Sequence, residues 1–377
     1  MKLDWARTLA IARKETLQIR RDLRSLIVVL VMPLMLMGLM GYGINLDQTH
    51  VPLCTFDQEG SQQSQDLLKR FANNRYFDLT LNAVNYDQMV AAIDARRCTI
   101  GIVVPLQFSQ RLREGDAVGV QAIVDGTDPN TANLVIGYAQ QVTGDFSTSV
   151  AIKFLQRRGL GIVPPLSVDA RTWFNEELES RNFIVPGVVA IVMAVIGTFL
   201  TSLTIAREWE RGTMEQLIST PASALEVIVG KLVPYFAIGM ADASVCVAIA
   251  VWWFEVPLRG SLLVLTGASA LFMAAVLLMG FLISVLAGSQ LAASQFSLLI
   301  TFLPSFLLSG FAFPIDQMPA AVRAFTFLIP ARYYVVILKA VFLKGSGFAA
   351  NGTQFFGLAL FTTVVGTMAV RSFKKSL

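Results

Sequence analysis

The sequence predicts an α-helical membrane protein with six transmembrane helices, an N-terminal amphipathic elbow helix and an outer re-entrant hairpin. A small α/β extracytoplasmic domain is expected between transmembrane helices 1 and 2. Of the 377 residues, 54% are hydrophobic and 15% are charged, whereas soluble domains carry about 25% charged residues. Four apolar runs approach or exceed the roughly 20 residues that cross a hydrocarbon core, and they are 26–44, 183–206, 232–254 and 348–370.

Two further spans are expected from the stretch between Gly260 and Ile315, which contains no charged residue. This stretch is too long for one crossing. Residues 287–290, Ala-Gly-Ser-Gln, offer a polar, glycine-containing break near its middle. Dividing the stretch there brings the total to six spans.

The remaining apolar segment, 324–343, contains Pro330, Arg332 and Lys339. As a seventh crossing it would place the two termini on opposite sides, although basic residues flank both the first and the last span. Because positive charge is retained in the cytoplasm, we interpret residues 316–345 as an outer re-entrant hairpin shielded by other protein. Both termini and the loop 207–226 are then cytoplasmic.

Residues 1–24 are predicted to form the elbow helix ahead of the first span, 25–44. Apolar or small side chains recur there every three or four residues, at Trp5, Leu9, Ala12, Thr16, Ile19 and Leu23. This spacing favours a helix on the inner membrane surface with its cations toward anionic lipid; a frayed basic tail is the alternative. The segment is too basic and too long for a cleavable signal. Since the net charge of +4 gathers beside the spans, no nucleic acid partner is indicated.

Residues 45–180 have the length of an ordinary domain and are expected outside the cytoplasm, ahead of the permease core, 181–377. Predicted strands at 51–56, 77–84, 99–104 and 118–124 alternate with predicted helices at 62–71, 86–95, 106–113 and 131–156. This alternation is typical of a small α/β sheet. Residues 125–130 have turn chemistry, with Thr131 as the expected helix cap; the turn is either structural or touches a ligand.

The three cysteines are weakly informative. Cys246 lies within a span and is expected to be a small core residue. Cys54 lies on one predicted strand and Cys98 directly precedes another; a disulfide between them is one hypothesis and free thiols are the other.

The chain lacks the residue patterns of a catalytic or metal site. His50, next to a domain boundary, is its single histidine, so a metal site built from several histidines lacks its parts, and no GxSxG or HExxH pattern occurs in the sequence. Gly230 and Lys231 have neither the preceding glycine nor the following hydroxyl residue of a phosphate-binding loop. The chain is therefore not expected to be an enzyme or to hydrolyse ATP itself.

Asp242 falls near the middle of the third span, where an ionised carboxylate is costly. One interpretation places it on a substrate path or at a proton-linked site. The other is a protonated or hydrogen-bonded acid between packed helices, with Ser244 nearby.

The loop after the second span is heavily charged, and residues 207–216 are predicted to form a short helix ended before Pro221. On that helix Glu208 and Glu215 would share an acidic face with Arg211 beside it. Trp209 is expected at the lipid boundary. A firm cytoplasmic docking surface is the function that this pattern favours.

With these features in place, the sequence resembles the membrane subunits of ABC-2 type bacterial exporters, and in particular their multidrug-efflux permeases. The similarity covers essentially the whole chain and depends on its motifs in combination. They lie at residues 13–15 (Arg-Lys-Glu), 21–22 (Arg-Asp), 41–45 (Gly-Tyr-Gly-Ile-Asn), 208–215 (Glu-Trp-Glu-Arg-Gly-Thr-Met-Glu), 309–311 (Ser-Gly-Phe), 314, 318–319 and 329–333.

The resemblance implies a permease half in a bacterial inner membrane that exports amphipathic or lipophilic compounds, with drugs, lipids and ions as candidates. ATP and Mg²⁺ would bind to a separate ABC ATP-binding subunit, so this chain would hold no cofactor. The other implied partners are a second permease half, either identical or a sister chain, and a periplasmic adaptor with an outer-membrane channel. The implied ATPase-coupling positions are Glu208, Arg211, Gly212, Thr213, Glu215, Leu217, Glu15, Arg21 and Asp22. The rival interpretation is a membrane receptor whose extracytoplasmic domain senses a ligand.

Overall fold

The computed structural model describes residues 4–43, 50–157 and 180–373. The chain divides into two compact units: the first joins Met1–Asn45 to Thr172–Leu377, and the second is Leu46–Arg171. The predicted extracytoplasmic domain, 45–180, contains the second unit, while residues 158–179 lie outside the described part.

Two helices open the first unit. Helix α1 (Trp5–Arg21) begins after Asp4, whose carboxylate accepts a hydrogen bond from the N–H of Ala6, and it carries Arg20 and Arg21 in its last turn. An acidic start and a basic end both complement the helix dipole. Helix α2 (Leu23–Gly43) follows after one residue and coincides with the first predicted span.

Strands and helices alternate through the second unit in the predicted order. They are β1 (Val51–Asp57), α3 (Gln62–Ala72), β2 (Phe77–Asn82), α4 (Tyr86–Asp94), β3 (Ile100–Val104), α5 (Phe108–Glu114), β4 (Gln121–Val124) and α6 (Pro129–Arg157). The sheet order is β2-β1-β3-β4; β1 is parallel to β2 and β3, and β4 is antiparallel to β3. Because side chains alternate along β3, Ile102 packs with Phe71 and Phe146 on one face, and Val103 packs with Met89 on the other.

Neighbouring strands bring two of the cysteines together. Cys54 of β1 and Cys98, just before β3, form a disulfide with their Cα atoms 5.7 Å apart. The pairing that the sequence leaves open is therefore made in this structure. Cys246 is a buried free thiol.

The prediction that Thr131 caps the long helix of the second unit is wrong. Helix α6 begins at Pro129, and the carboxylate of Asp128 accepts hydrogen bonds from the N–H and hydroxyl of Thr131. Proline is well suited to the first position of a helix, so the helix begins at Pro129 and the preceding residue, Asp128, becomes the N-cap. Thr131 then lies inside the first turn and cannot be the cap.

The rest of the first unit is helical. Its α-helices are α7 (Ser180–Glu210), α8 (Met214–Ser219), α9 (Ala224–Trp252), α10 (Leu262–Ala287), α11 (Gln290–Ser297), α12 (Leu303–Leu308), α13 (Ala320–Phe325), α14 (Pro330–Lys339) and α15 (Gly352–Ser372). Turns of π-helix, Leu298–Phe302 and Ala340–Lys344, follow α11 and α14.

Helix α7 lies at the centre of this unit and is buried over most of its length. It packs closely on α10, where a Cβ atom placed at Gly280 would lie 2.4 Å from the carbonyl oxygen of Thr198. A Cβ atom at Gly187 would lie 2.2 Å from the ring of Phe311. Small residues at such crossings let two apolar helices approach closely, as is usual inside membranes.

Among the described residues, five helices are long and apolar enough to cross a bilayer: Ser180–Glu210, Ala224–Trp252, Leu262–Ala287, Gln290–Leu308 and Ala349–Ser372. The pair Ala320–Leu328 and Pro330–Lys344 is bent by 88° and adds a sixth if it forms one broken span. The bend falls at Ile329, because a residue before proline is driven out of the helical region. The break between α10 and α11 falls at Gly288 and Ser289, within the predicted segment. The fold is that of an α-helical membrane protein.

Candidate functional site

Helix α1 is fixed against the start of α9. A Cβ atom at Gly230 would lie 2.9 Å from both the carbonyl oxygen of Thr8 and the Cβ of Ile11, so the two helices meet there without a side chain between them. The N–H of Asp4 donates to Glu226 at 2.8 Å, and Arg7 donates to the carbonyl oxygen of Pro221 at 2.9 Å. Glu226 also completes a capping box with Ser223 at the start of α9.

A buried group of charges ties α1, α7 and α9 together. The Lys231 ammonium, only 1% exposed, lies 2.5 Å from Oε1 of Glu15 and 3.1 Å from Oε1 of Glu208. Lys14 reaches the same Glu208 oxygen at 2.9 Å from the more exposed side. Removing charges from water costs several kcal/mol per ion unless they are paired, so the three helices are held in one arrangement by their complementary charges.

The helix predicted over 207–216 is interrupted. Helix α7 ends at Glu210, residues 211–213 form a turn, and α8 begins at Met214. Gly212 adopts φ +70°, a left-handed conformation that glycine takes at little cost and that ends the helix. Glu208 and Glu215 therefore lie on two different helices, and the prediction of one continuous helix over 207–216 is wrong.

The turn after α7 is joined to the charge group through Thr213. Its hydroxyl donates to Oε2 of Glu208, and the adjacent Met214 is buried. The side chains of Glu215 and Leu217 lie outside the described part of α8. The turn is thus joined to the Glu208 carboxylate, which also contacts Lys231.

A polar cavity of about 860 Å³ lies beside this group, between α1 and the end of α7. Arg207 pairs with Asp22 at 3.3 Å, and Arg21 and Arg211 also line the cavity. Six of the predicted coupling residues are in this way brought to one junction: Glu15, Arg21, Asp22, Glu208, Arg211 and Thr213.

A second connection links the end of α7 to the break between α10 and α11. The N–H of Gln290 donates to Glu210 at 2.7 Å, and its side-chain amide donates to the same carboxylate. One turn earlier, the hydroxyl of Ser284 accepts hydrogen bonds from the N–H groups of Ile205 and Ala206. The uncharged break thus contacts the charged loop directly.

Asp242 lies elsewhere, about 16 Å along α9 from Lys231 at 1.5 Å per residue. It is 8% exposed, and its Oδ2 atom has no hydrogen-bond partner among the described residues. The hydroxyl of Ser244 donates to the carbonyl oxygen of Met240 instead. Ser244 is therefore not engaged with the Asp242 carboxylate.

Sequence reasoning missed Lys231, Glu226 and the contact between Glu210 and Gln290. A signal for Lys231 exists, because a lone cation in an apolar helix needs a carboxylate partner, but the sequence does not say which one. No group of three or more His, Cys, Asp or Glu side chains able to hold a metal ion occurs within 4–43, 50–157 and 180–373.

Comparison with known proteins places this architecture. Residues 23–371 match the family model described as ABC-2 family transporter protein. The chain is 41% identical to the probable multidrug ABC transporter permease YbhS of Escherichia coli (strain K12), over 91% of this chain and 90% of that protein. It is 25% identical to the probable multidrug ABC transporter permease YbhR of the same strain, over 95% and 98%. It is also 27% identical to the inner membrane transport permease YhhJ of that strain, over 86% of each chain.

The receptor interpretation is not favoured by these similarities, since the relatives are named as permeases over nearly their whole length. Apolar helices, a charge-tied junction and the family match agree with one another. The chain belongs to the ABC-2 family of transporter proteins, as a membrane permease.

Proposed function

We propose that this permease is the membrane-spanning subunit of an exporter driven by ATP that a separate ABC ATP-binding subunit hydrolyses. The observation that carries this proposal is the junction of α1, α7, α8 and α9, where Lys231, Glu15 and Glu208 are buried together. The ATPase docks on the turn 211–213, on Glu215 and Leu217 of α8, and on the neighbouring α1. It binds the ATP and Mg²⁺.

The proposed topology has six crossings in the bacterial inner membrane, with both termini and the loop 207–226 in the cytoplasm. Helix α1 is the elbow on the inner surface, and α2 is the first crossing. The α/β unit lies outside the cytoplasm, and the bent pair α13–α14 is an outer re-entrant hairpin.

Coupling follows from the connections within the junction. Nucleotide binding moves the ATPase subunits, which displaces α8 and the turn. The hydrogen bond from Thr213 then moves the Glu208 carboxylate. The ion pairs of Lys231 with Glu208 and Glu15 transmit this movement to α9 and α1. A ligand shifts such an equilibrium only by its different affinities for the two states, so the ATPase must bind one position of the turn more tightly. Glu208 acts through its neighbours, because it is only 5% exposed.

The substrate class is suggested by the relatives, two of which are named as probable multidrug permeases. We extend this to amphipathic or lipophilic compounds, including drugs, lipids or ions. The working exporter contains two permease halves, identical or sister chains, and it passes substrate to a periplasmic adaptor and an outer-membrane channel. Asp242, buried within α9, is the candidate residue on the substrate path.

Co-purification with the ATPase tests the proposal. The permease is co-expressed with the P-loop ATPase that is encoded next to it in its own genome. Three quantities are measured: the amount of ATPase that copurifies, ATP hydrolysis stimulated by substrate, and efflux. Glu215→Lys should reduce all three while the permease keeps its yield and melting temperature. Asp87→Lys, an exposed charge reversal in the α/β unit, is the matched control. Failure to recover an ATPase in fixed proportion, or unchanged efflux in Glu215→Lys, contradicts the proposal.

The role of Asp242 is tested separately. Asp242→Asn keeps the shape of the side chain but removes its titratable group. We expect altered efflux of cationic substrates with normal expression and normal ATPase binding. Unchanged efflux over a panel of cationic, neutral and anionic compounds would leave Asp242 with a packing role.

A further inference from the structure

The cavity between α1 and the end of α7 carries an excess of positive charge. Four of its lining side chains are cations, namely Lys14, Arg21, Arg207 and Arg211, and one, Asp22, is an acid. Lys14 pairs with Glu208 and Arg207 pairs with Asp22. Arg21 and Arg211 are exposed, and neither has a carboxylate within 4.0 Å in the part of the chain that the structure describes. Two guanidinium groups thus face one cavity without an acidic partner.

The cavity lies where the first unit passes from polar to apolar surface. Arg21 is the last residue of α1, and the apolar helix α2 begins two residues later. Arg207 lies in the last turn of α7, after more than 20 apolar or small residues. Leu17, which is 46% exposed, lines the same cavity, and the exposed Trp209 lies two residues beyond Arg207. Aromatic and basic side chains at the ends of spanning helices mark the depth of lipid headgroups.

The chemistry of the two free guanidinium groups selects the ligand. Guanidinium is planar and always charged, and it binds phosphate oxygens through paired hydrogen bonds. Phosphate groups are dense at the inner membrane surface, where anionic lipids attract basic segments. A lipid also supplies an acyl chain for Leu17, which inorganic phosphate does not.

We infer that this cavity binds the headgroup of an anionic phospholipid, with Arg21 and Arg211 on its phosphate and an acyl chain along Leu17. The bound lipid bridges the end of α1 and the turn after α7, and so stiffens the connection on which coupling depends. The inference depends on the proposed function only for the cytoplasmic position of the junction. Phosphate recognition itself needs no ATPase.

Lipid binding is measured on the purified permease without its ATPase, after exchange into a neutral detergent. Phosphatidylglycerol, cardiolipin, phosphatidylcholine and inorganic phosphate are titrated separately, with retained lipid read by native mass spectrometry and stability read as melting temperature. We expect phosphatidylglycerol and cardiolipin to be retained and to raise the melting temperature. Phosphatidylcholine and inorganic phosphate should do neither.

The decisive variant is Arg21→Gln with Arg211→Gln, and its matched control is Arg13→Gln with Arg20→Gln. Arg13 and Arg20 are exposed cations of α1 that do not line the cavity. The first pair should weaken binding of the anionic lipids about tenfold or more, since hydrogen bonds to charged groups are the strong ones. The control pair should bind as the wild type does. Equal melting temperatures in lipid-free detergent show that each variant is folded.

Three results would overturn the inference. Equal lipid binding by both double variants would show that α1 attracts lipid without a site, and equal binding of inorganic phosphate would identify a free-anion site. Loss of ATPase copurification with unchanged lipid binding in Arg21→Gln, Arg211→Gln would assign the pair to the ATPase and leave the proposed function standing. Conversely, absence of any ATPase partner would contradict the proposed function. The lipid measurement would still test the lipid site, because it is made on the permease without an ATPase.

Discussion

Lys231 balances the charges of the junction that joins α1, α7 and α9. Replacing it by methionine removes the charge but leaves Glu15, which is 2% exposed, without the cation it contacts, and leaves Glu208, which is 5% exposed, with Lys14 alone. We expect Lys231→Met to lower the free energy of unfolding by about 3–5 kcal/mol, the usual cost of breaking a buried ion pair. Lys14→Met should cost about 1 kcal/mol or less, because the Lys14 side chain is 54% exposed. Thermal denaturation of the purified permease compares the two.

A double variant separates charge from packing at the same position. Lys231→Met combined with Glu15→Gln also removes the carboxylate that Lys231→Met leaves unpaired, so part of the lost stability should return. Equal melting temperatures for Lys231→Met and Lys14→Met would contradict the arrangement described above.

Glu59, in the α/β unit, is predicted to make stability depend on pH. Burial by itself raises the pKa of Glu59, but hydrogen bonds from the hydroxyl and N–H of Ser109 and from Ser61 hold the pKa below its usual value of 4.5. A carboxyl with a lowered pKa in the folded state contributes stability above its unfolded pKa, and this contribution is lost as the pH falls through the folded value.

Glu59→Gln should therefore unfold at a lower temperature than the wild type at pH 7, and the difference should shrink below about pH 4. Scanning calorimetry of the full chain at pH 7 and at about pH 3 measures the difference in unfolding temperature between Glu59→Gln and the wild type. Glu114→Gln, at an exposed carboxylate of the same unit, is the control and should show no such change. A difference for Glu59→Gln that is constant from pH 7 to pH 3 would exclude the carboxylate as its source.

At the scale of elements, periodicity made the α/β unit predictable, because its strands and helices bury regular faces along the chain. Long-range charge pairing was not predictable: Glu15 was named from its motif, but its partner Lys231 lies 216 residues away. The helix predicted at 207–216 failed for a local reason, since charge spacing favours helix while Gly212 ends it. The left-handed conformation of Gly212 thus ended a helix that the charge spacing over 207–216 predicted to continue.

The crossing of α1 and α9 depends on the missing side chain at Gly230. Gly230→Val would place carbon atoms where Thr8 and Ile11 already lie, so α1 should separate from α9. We expect faster proteolysis within residues 5–21 and reduced ATPase binding. Gly38→Val is the matched control, because nothing lies within 4 Å of a Cβ atom at that position of α2. Equal proteolysis of α1 in both variants would exclude a tight crossing.

The disulfide between Cys54 and Cys98 closes a loop across β1 and β3, with 44 residues of sequence separation. A loop of this length contributes about 4 kcal/mol in the chain-entropy account, so Cys54→Ser with Cys98→Ser should destabilise the α/β unit by up to that amount. Alkylation of the denatured wild type should label one thiol without reductant and all three after reduction. Three labelled thiols without reductant would show that the bond is absent.

At the scale of the whole molecule, the contacts of the first unit sort into two ends of the helical bundle. One end carries the junction of α1 with the end of α7 and the start of α9. At the other end Arg181, near the start of α7, lies 3.7 Å from Glu255, and Trp253 donates to the hydroxyl of Tyr42 at 2.7 Å. Exposed tryptophans at the end of α9, Trp252 and Trp253, are typical of a membrane interface.

A segment before the bent pair α13–α14 and the end of the pair both lie near that second end. Phe311, which precedes the pair, packs against Gly187 of α7. At the far end of the pair, Lys339 contacts Phe183 and donates to the carbonyl oxygen of Gly310 at 3.1 Å. The N–H of Arg259, between α9 and α10, donates to Phe342 at 3.1 Å. Entry and exit on one side support a re-entrant hairpin over a complete crossing.

Single introduced cysteines test this topology, because the native thiols do not interfere: Cys54 and Cys98 are bonded to each other and Cys246 is buried. Asp87→Cys, Gln216→Cys and Thr353→Cys each place a thiol at an exposed position, and intact cells are treated with a membrane-impermeant maleimide. If the hairpin is re-entrant, Asp87→Cys and Thr353→Cys are labelled from outside, whereas Gln216→Cys is labelled only after permeabilisation. If the bent pair crosses the membrane, Thr353→Cys changes sides and behaves like Gln216→Cys, because the start of α15 then faces the cytoplasm. Labelling of Gln216→Cys in intact cells would place the charged junction outside, where no ATPase could reach it.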